Sequence, residues 1–288
     1  MQLVLINNSH NPKCEEYLLK AAKKRGLETK VISSKDTLLE VGKKSIKKND
    51  LIYRVAVDTS EALLEQSILL GGNCTSFFKP EETIKRRFSN KLTRYVEFAN
   101  AGIPIPQTIF ANAVNDTELK KIAQKLGFPL IIKTLKDSLG RGVLVVDSYF
   151  SLKSISQFLV SKDIEFFFQK MVKESSGRHI RAVVLEKEIL CAYEKSVPKK
   201  LDFRSNANRG FSKNRIVQLN PKIREIVLKA VAVAGVEFGG VDLLYTKNGF
   251  LVSEVNFPCN FGASQNFTGI DIAGKMLDFL VEKAGRNN

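Results

Sequence analysis

One segment constrains this chain more than any other. Phe238-Gly239-Gly240-Val241-Asp242-Leu243-Leu244-Tyr245 and Phe250-Leu251-Val252-Ser253-Glu254-Val255-Asn256 flank the turn signal Lys247-Asn248-Gly249. Two apolar, β-rich runs around an Asn-Gly pair predict an antiparallel hairpin. Read as a three-residue loop with Gly249 in the left-handed position, the turn pairs Thr246 with Phe250 and sets Asp242 opposite Glu254. Asn256, two residues further on, shares their face. Facing carboxylates repel unless a cation lies between them. Three oxygen donors from one hairpin suit Mg²⁺, which keeps waters and takes phosphate oxygens as its other ligands. The plainer alternative is a solvated sheet face, but the runs are apolar on both sides of the acids.

Composition narrows the chemistry. With 288 residues the chain has room for two or three domains and a core that needs no disulfide or metal staple. His10 and His179 are the only histidines, so a histidine-rich metal site is excluded and a Ser-His-Asp triad would have to use one of those two. Cys14, Cys74, Cys191 and Cys259 form no CxxC pair and read as buried, reduced thiols. Lys plus Arg is 45 against 30 Asp plus Glu, a net +15, and the excess is spread along the chain rather than gathered into a basic arm. A spread excess fits a diffuse basic surface or an enzyme for anionic ligands. No run reaches the roughly 18 apolar residues of a membrane span, and the first residues lack the pattern of a signal peptide. The expectation is a cytoplasmic protein with no membrane partner.

Strand and helix patterns alternate at the start. Strands are expected over 2–6, 29–32 and 51–55, with helices over 12–25 and 60–70, so a small parallel βαβ sheet follows. Asn7-Asn8-Ser9-His10 after the first strand is no glycine fingerprint, so a dinucleotide fold is disfavoured. Ser89 is the expected cap of a helix over 90–101 ending at Gly102. Further helices are expected over 116–126, 149–160, 221–234 and, as one closing element, 268–284. Strands are expected over 129–134, 142–146, 165–171, 179–185 and 189–195, with 199–214 as a polar, basic loop.

Two more constellations carry chemistry. In Lys133-Thr-Leu-Lys-Asp-Ser-Leu-Gly140-Arg141-Gly142-Val143 a lysine ends one strand and a Gly-x-Gly loop opens the next. Glycines let backbone N–H groups approach an anion, and the lysine supplies a point charge. A plain hairpin turn is the rival reading. Lys91, Arg181, Arg204 and Arg209 are singly ordinary surface charges; beside a magnesium hairpin and a glycine loop they read as a polyphosphate clamp.

At these residues the sequence resembles the ATP-grasp superfamily and, within it, the RimK-type carboxylate–amine (alpha-L-glutamate) ligases. The resemblance spans about 89–280 and runs in order through Asn90-Lys91-Leu92, Ala101-Gly102-Ile103-Pro104-Ile105-Pro106, Gly127-Phe128-Pro129, Ile132-Lys133, the loop 140–143, residues 169–172, Ile180-Arg181, Asp202-Phe203-Arg204-Ser205-Asn206, Gly240-Val241-Asp242-Leu243-Leu244, Glu254-Val255-Asn256 and Thr268-Gly269-Ile270-Asp271-Ile272-Ala273-Gly274. It implies an α/β fold: an N-terminal βαβ pre-ATP-grasp domain (1–88), a central α+β subdomain with the glycine loop (89–170) and a C-terminal α+β subdomain with the Mg²⁺ site (171–288), the last two clamping ATP. It implies ATP contacts from Lys91, Lys133, Gly140, Arg141, Gly142, a hinge of Gln169, Lys170, Met171 and Val172, His179, Ser205 and Asn206. Arg181, Arg204 and Arg209 would stabilise charge on the transferring phosphoryl group or the acyl phosphate. Asp242, Glu254 and Asn256 would hold Mg²⁺, or Mn²⁺ in its place.

The implied reaction is attack of a substrate carboxylate on the γ-phosphate of ATP, then displacement of phosphate by an amine to form an amide. This needs positioning and charge neutralisation rather than a protein nucleophile. The partners implied are a small-molecule, peptide or protein carboxylate and an amino acid, glutamate favoured, in a homo-oligomer (dimer or tetramer). Two alternatives stay open: a ligase for another amine, as in amino-group-carrier lysine biosynthesis, and a non-catalytic basic nucleotide- or RNA-binding module. The sequence departs from the family at three places. His179 stands where relatives usually have an Asp near the ribose, Lys170 where the hinge is commonly acidic, and Phe257-Pro258-Cys259-Asn260-Phe261-Gly262 where Ser-Ser-Pro-Gly is frequent. Cys259 there reads as a small apolar wall.

Overall fold

The computed structural model describes residues 1–8, 11–40, 46, 47, 49–71, 74–78, 90–111, 115–135, 142–198, 202–204 and 213–286. Strands β1 (Gln2–Ile6), β2 (Glu28–Ile32) and β3 (Leu51–Arg54) form a parallel sheet in the order β2-β1-β3, connected through α1 (Pro12–Lys24). The central strand β1 is apolar because both its faces are covered. Leu3 and Leu5 pack with Cys14 and Leu18 of α1, whereas Val4 and Ile6 pack with Leu64 and Ile68 of α2 (Thr59–Gly71). β2 lies at the edge and is largely exposed, as its Glu28-Thr29-Lys30 start suits.

Helix α3 (Lys91–Asn100) begins one residue later than expected. The Asn90 side chain accepts from the Thr93 N–H, and Thr93 Oγ1 reciprocates at the Asn90 N–H, so the cap is Asn90; Ser89 lies outside the described residues. A four-stranded antiparallel sheet follows, in the order β4 (Thr108–Ile109), β7 (Phe166–Lys170), β5 (Leu130–Thr134), β6 (Val143–Val146). Leu130, Ile132, Phe166 and Phe168 face α4 (Asp116–Leu126) and α5 (Tyr149–Ser161) in one core. The alternate residues Lys133, Phe167 and Gln169 take the opposite face.

The third sheet has five antiparallel strands in the order β10 (Lys213–Ile216), β9 (Glu188–Ser196), β8 (Arg178–Leu185), β11 (Phe238–Thr246), β12 (Gly249–Asn256). Residues 213–216 were expected in or beside a loop; they form the edge strand β10 instead, exposed along its whole length, so no burial pattern announces it. On one face Ile180, Ala182, Val184, Val241 and Leu243 pack on α6 (Pro221–Val233) and on Phe98 of α3. On the other, Val183, Leu185 and Phe238 pack with β1, α1 and α8 (Ile272–Arg286), so the parallel sheet and the five-stranded sheet share a core. The expected closing helix over 268–284 is α8, which starts four residues later, and a short helix outside that expectation precedes it. α7 (Gly262–Thr268) stops at Gly269, whose φ of 72° places it in the left-handed region and whose N–H reaches back to the Gln265 carbonyl. Gly262 sits against α1, its N–H 3.1 Å from Cys14 Sγ.

Candidate active site

The hairpin β11–β12 places Asp242 opposite Glu254 as expected, but by a different route. The turn holds two residues rather than three: Thr246 pairs with Gly249 and Tyr245 with Phe250. Carried on unchanged, that register would set Ser253 opposite Asp242 and turn Glu254 onto the α6 core. A β-bulge at Ser253 intervenes, so Leu243 pairs with Val252 but Asp242 with Glu254. One extra residue flips the alternation, which brings Glu254 and Asn256 onto the Asp242 face.

Asp242 is buried and held from three sides. Arg181, its partner across β8–β11, donates from Nε to Oδ1 and from Nη2 to Oδ2, the latter at 2.9 Å. Asn256 Nδ2 donates to Oδ2 at 3.2 Å, and His179 Nε2 lies 3.5 Å from Oδ1. Burial works to raise the Asp242 pKa, but Arg181 first and His179 second outweigh it and hold the carboxyl below its ordinary value. The Arg181 pKa is raised correspondingly: burial opposes the charge and Asp242 overcomes it. This bidentate pair is ionised. Burial drives the His179 pKa down to about 4, Arg181 and Lys195 add to that, and Asp242 pulls the other way, so His179 is neutral at pH 7. His179 therefore stands behind Asp242, in the wall of the site.

Glu254 reaches solvent, yet the protein around it raises its pKa, and the Asp242 charge raises it further. Lys133, Lys91 and Arg181 pull it back, which places all three cations in the field of this carboxylate. Lys91 and Tyr95 lie four residues apart on one face of α3 and both reach the end of β5. Lys91 Nζ donates to the Thr134 carbonyl at 3.1 Å, and Lys133 Nζ to Tyr95 Oη at 3.2 Å. Gly240 gives Arg181 its path, since a Cβ there would lie 3.2 Å from Cδ and Nη1 of Arg181 and 2.8 Å from Cys259 Sγ. Cys259 itself is buried, its thiol pKa pushed up to about 12 chiefly by that burial; it is a wall, not a nucleophile.

The remaining expected residues lie further along the same elements. Gln169 is buried in β7 and its Nε2 donates to Thr108 Oγ1 at 2.9 Å. The Lys170 N–H is engaged by the Gln107 carbonyl. Met171 follows β7, and the Val172 carbonyl accepts from the Ser175 N–H in the 3₁₀ turn Lys173–Ser175. Gly142 is buried, its carbonyl accepting from the Thr134 N–H at 2.9 Å. Arg204 is forked onto Asp202 at 3.0 and 2.9 Å and lies over the Phe203 ring. Gly140, Arg141, Ser205, Asn206 and Arg209 lie outside the described residues, as does His10. Sequence reasoning missed Tyr95 and Gly240. The i+4 spacing from Lys91 could have pointed to Tyr95; nothing local announces Gly240.

The donors present fit a hard divalent cation. Among the described residues no group of three or more His, Cys, Asp and Glu is arranged to hold a metal, so the set is two carboxylates and one amide. The Asn256 amino group is turned to Asp242 Oδ2 and to the Gly240 carbonyl, which leaves its Oδ1 as an acceptor. Asp242 and Glu254 face each other, and each charge disfavours the other, a repulsion that a dication relieves. Oxygen-only ligation with few protein ligands is the Mg²⁺ pattern.

Comparison with known proteins bears on these same elements. The RimK-like ATP-grasp domain matches residues 88–280. A probable alpha-L-glutamate ligase of Coxiella burnetii (strain RSA 493 / Nine Mile phase I) is 27% identical over 298 residues, covering 99% of this chain and 96% of that protein. One of Citrobacter koseri is 32% identical over 223 residues, 77% of this chain and 72% of that protein. Among solved structures, the ATP-grasp ligase PsnB complexed with its minimal precursor superposes with a TM-score of 0.75 at 15% identity, covering 98% of this chain and 99% of that one. PsnB with a phosphomimetic precursor variant, Mg and ADP gives 0.73 at 14%, covering 98% of each. With its carboxylate hairpin, the lysines 91 and 133 and both antiparallel sheets inside the matched span, the chain belongs to the RimK-like ATP-grasp family and is an ATP-dependent, C–N bond-forming ligase.

Proposed function

We propose that the protein joins a substrate carboxylate to the amine of an amino acid, glutamate first, through an acyl phosphate, with release of ADP and phosphate. The observation that carries this is the facing pair Asp242 and Glu254 in the field of Lys91, Lys133 and Arg181. A module that only binds nucleotide needs no second carboxylate held opposite the first. The Coxiella and Citrobacter relatives are probable alpha-L-glutamate ligases, which supports glutamate as the amine.

In this reading Lys133 and Lys91 bind and orient the nucleotide phosphates, with Gly142 and its loop completing the cradle and residues 169–172 and His179 bordering the nucleoside. Glu254 and Asn256, with the remaining lone pairs of Asp242, would hold Mg²⁺, which when bound would neutralise phosphate charge. Arg181, anchored by Asp242, presents a fixed cation to the phosphoryl group or the acyl phosphate, and a fixed cation needs no reorganisation when charge develops. Arg204 and Arg209 would serve the same end. Residues 257–262, which join the hairpin to α7 against the N-terminus of α1, border the acceptor. The division into 1–88, 89–170 and 171–288 is supported by sheet membership, since each sheet draws its strands from one segment. It separates sheets more cleanly than cores, because Phe98 and Ile103 pack with the five-stranded sheet.

The test is ADP release across a panel of acids and amines, with products read by mass. An amide whose mass is the sum of acid and amine less water, formed with one ADP and lost in Glu254→Ala, is the expected result. Full turnover in Glu254→Ala, or no stimulation by any pair, refutes the proposal.

A further inference from the structure

We propose that Tyr95 is a positioning residue that sets the phosphate-side lysine and the metal-side carboxylate at their working separation; this rests on the function proposed above. Its hydroxyl proton goes to the Ser253 carbonyl at 2.6 Å, the carbonyl of the bulge residue that brings Glu254 round to Asp242. Its oxygen accepts from Lys133 Nζ at 3.2 Å, and the same ammonium lies 5.6 Å from the ring centroid. One side chain thus ties β5 of the four-stranded sheet to β12 of the five-stranded sheet. The ring is buried and packs edge-on against Phe167 at 5.7 Å, so the hydroxyl has little freedom to turn away.

The arrangement has a functional logic. A lysine is a flexible point charge that loses much rotamer entropy when held in one place. Tyr95 restrains Lys133 before nucleotide arrives. A bulge carbonyl is out of the regular ladder and needs a donor of its own. Tyr95 supplies it and thereby holds the register that brings Glu254 onto the Asp242 face. Lys91, one turn earlier on α3, grips the adjacent Thr134 carbonyl, so the helix holds the end of β5 at two points.

The experiment is calorimetric titration of the full chain with ADP and with ATP, at several Mg²⁺ concentrations, for the parent, Tyr95→Phe and Tyr149→Phe. Tyr149 also donates to a backbone carbonyl, that of Asp116, but away from this site. Phenylalanine keeps the ring packing but leaves the Ser253 carbonyl without this donor, so Tyr95→Phe is expected to unfold cooperatively a few degrees below the parent. It should bind nucleotide about tenfold more weakly, the effect of one hydrogen bond to a charged group. It should also need several-fold more Mg²⁺ for half-saturation, while Tyr149→Phe matches the parent. As a second readout, Lys133 in Tyr95→Phe should be acetylated faster in nucleotide-free protein, followed by peptide mass. Parent-like affinity and Mg²⁺ requirement in Tyr95→Phe overturn the inference, whatever happens to its melting temperature. Should the parent itself bind no nucleotide, the function proposed above fails and takes this inference with it.

Discussion

Gly240→Ala tests the site through a single methyl group. In an ordinary strand, replacing glycine with alanine gains about 0.5–1 kcal/mol, because glycine loses the most backbone freedom on folding. Here the new Cβ would stand 2.8 Å from Cys259 Sγ and 3.2 Å from two atoms of Arg181. Cys259 is 2% exposed and has no room to retreat, and Arg181 can move only by giving up its fork on Asp242. Overpacking of this kind costs about 1–3 kcal/mol, so the steric effect outweighs the entropic gain and a net loss of about 1–2 kcal/mol is expected. The neighbouring Gly239→Ala is the control, since its Cβ would meet nothing closer than 3.4 Å. Urea midpoints for the two variants should move in opposite directions, and ATP turnover should fall only in Gly240→Ala. Adding Cys259→Ala to Gly240→Ala removes the tighter contact but not the one with Arg181, so stability should recover more than activity. Should Gly240→Ala prove as stable and as active as the parent, the close passage of Arg181 over β11 is refuted.

Three further outcomes follow from the same site and core. Arg181→Met leaves the Asp242 charge buried without its main partner and should cost about 3–5 kcal/mol in chemical denaturation, with Arg181→Lys recovering the charge but not the fork; a parent-like midpoint for the methionine variant would show that the pair is not held. Burial pushes Cys14 and Cys191 up to about 11, so at pH 8 both should resist a thiol reagent until the chain is unfolded, and prompt reaction of the native protein at pH 8 would refute their placement. Because the unfolded thiols ionise near 9 and the native ones near 11, their contribution to stability is intact below pH 9 and is lost as the pH rises from 9 to 11.

Much of the site was legible in the chain. The alternation within 238–256 is strong because a sheet with one face on α6 needs Val241, Leu243 and Val252 at fixed parity, and the acids break it at defined places. The pairing of Asp242 with Glu254 was reached from the wrong loop length, and the bulge at Ser253 corrects the sum. A bulge leaves no mark in composition, because Ser253 is an unremarkable strand residue until Tyr95 donates to its carbonyl. The closing helix was legible apart from its start, because the left-handed backbone at Gly269 keeps 269–271 out of α8, and the 7-residue α7 before it is too short to show a period. β10 was missed because Lys-Asn-Arg-Ile at an exposed edge carries no period to read.

The sequence by itself determined most element types, the βαβ start, the carboxylate hairpin and the scarcity of histidine that turns the chemistry towards a nucleotide and fixed cations. Local propensity and periodicity are properties of short windows, and those windows are legible where one face of an element is buried. Only the tertiary structure decided that Arg181 spends its fork on Asp242, that His179 is buried neutral behind that carboxylate, and that Tyr95 ties the two clamping sheets together. Each of these joins residues about 40 to 160 positions apart, between paired strands of one sheet or between a helix and two sheets, and no local pattern encodes which side chains meet there.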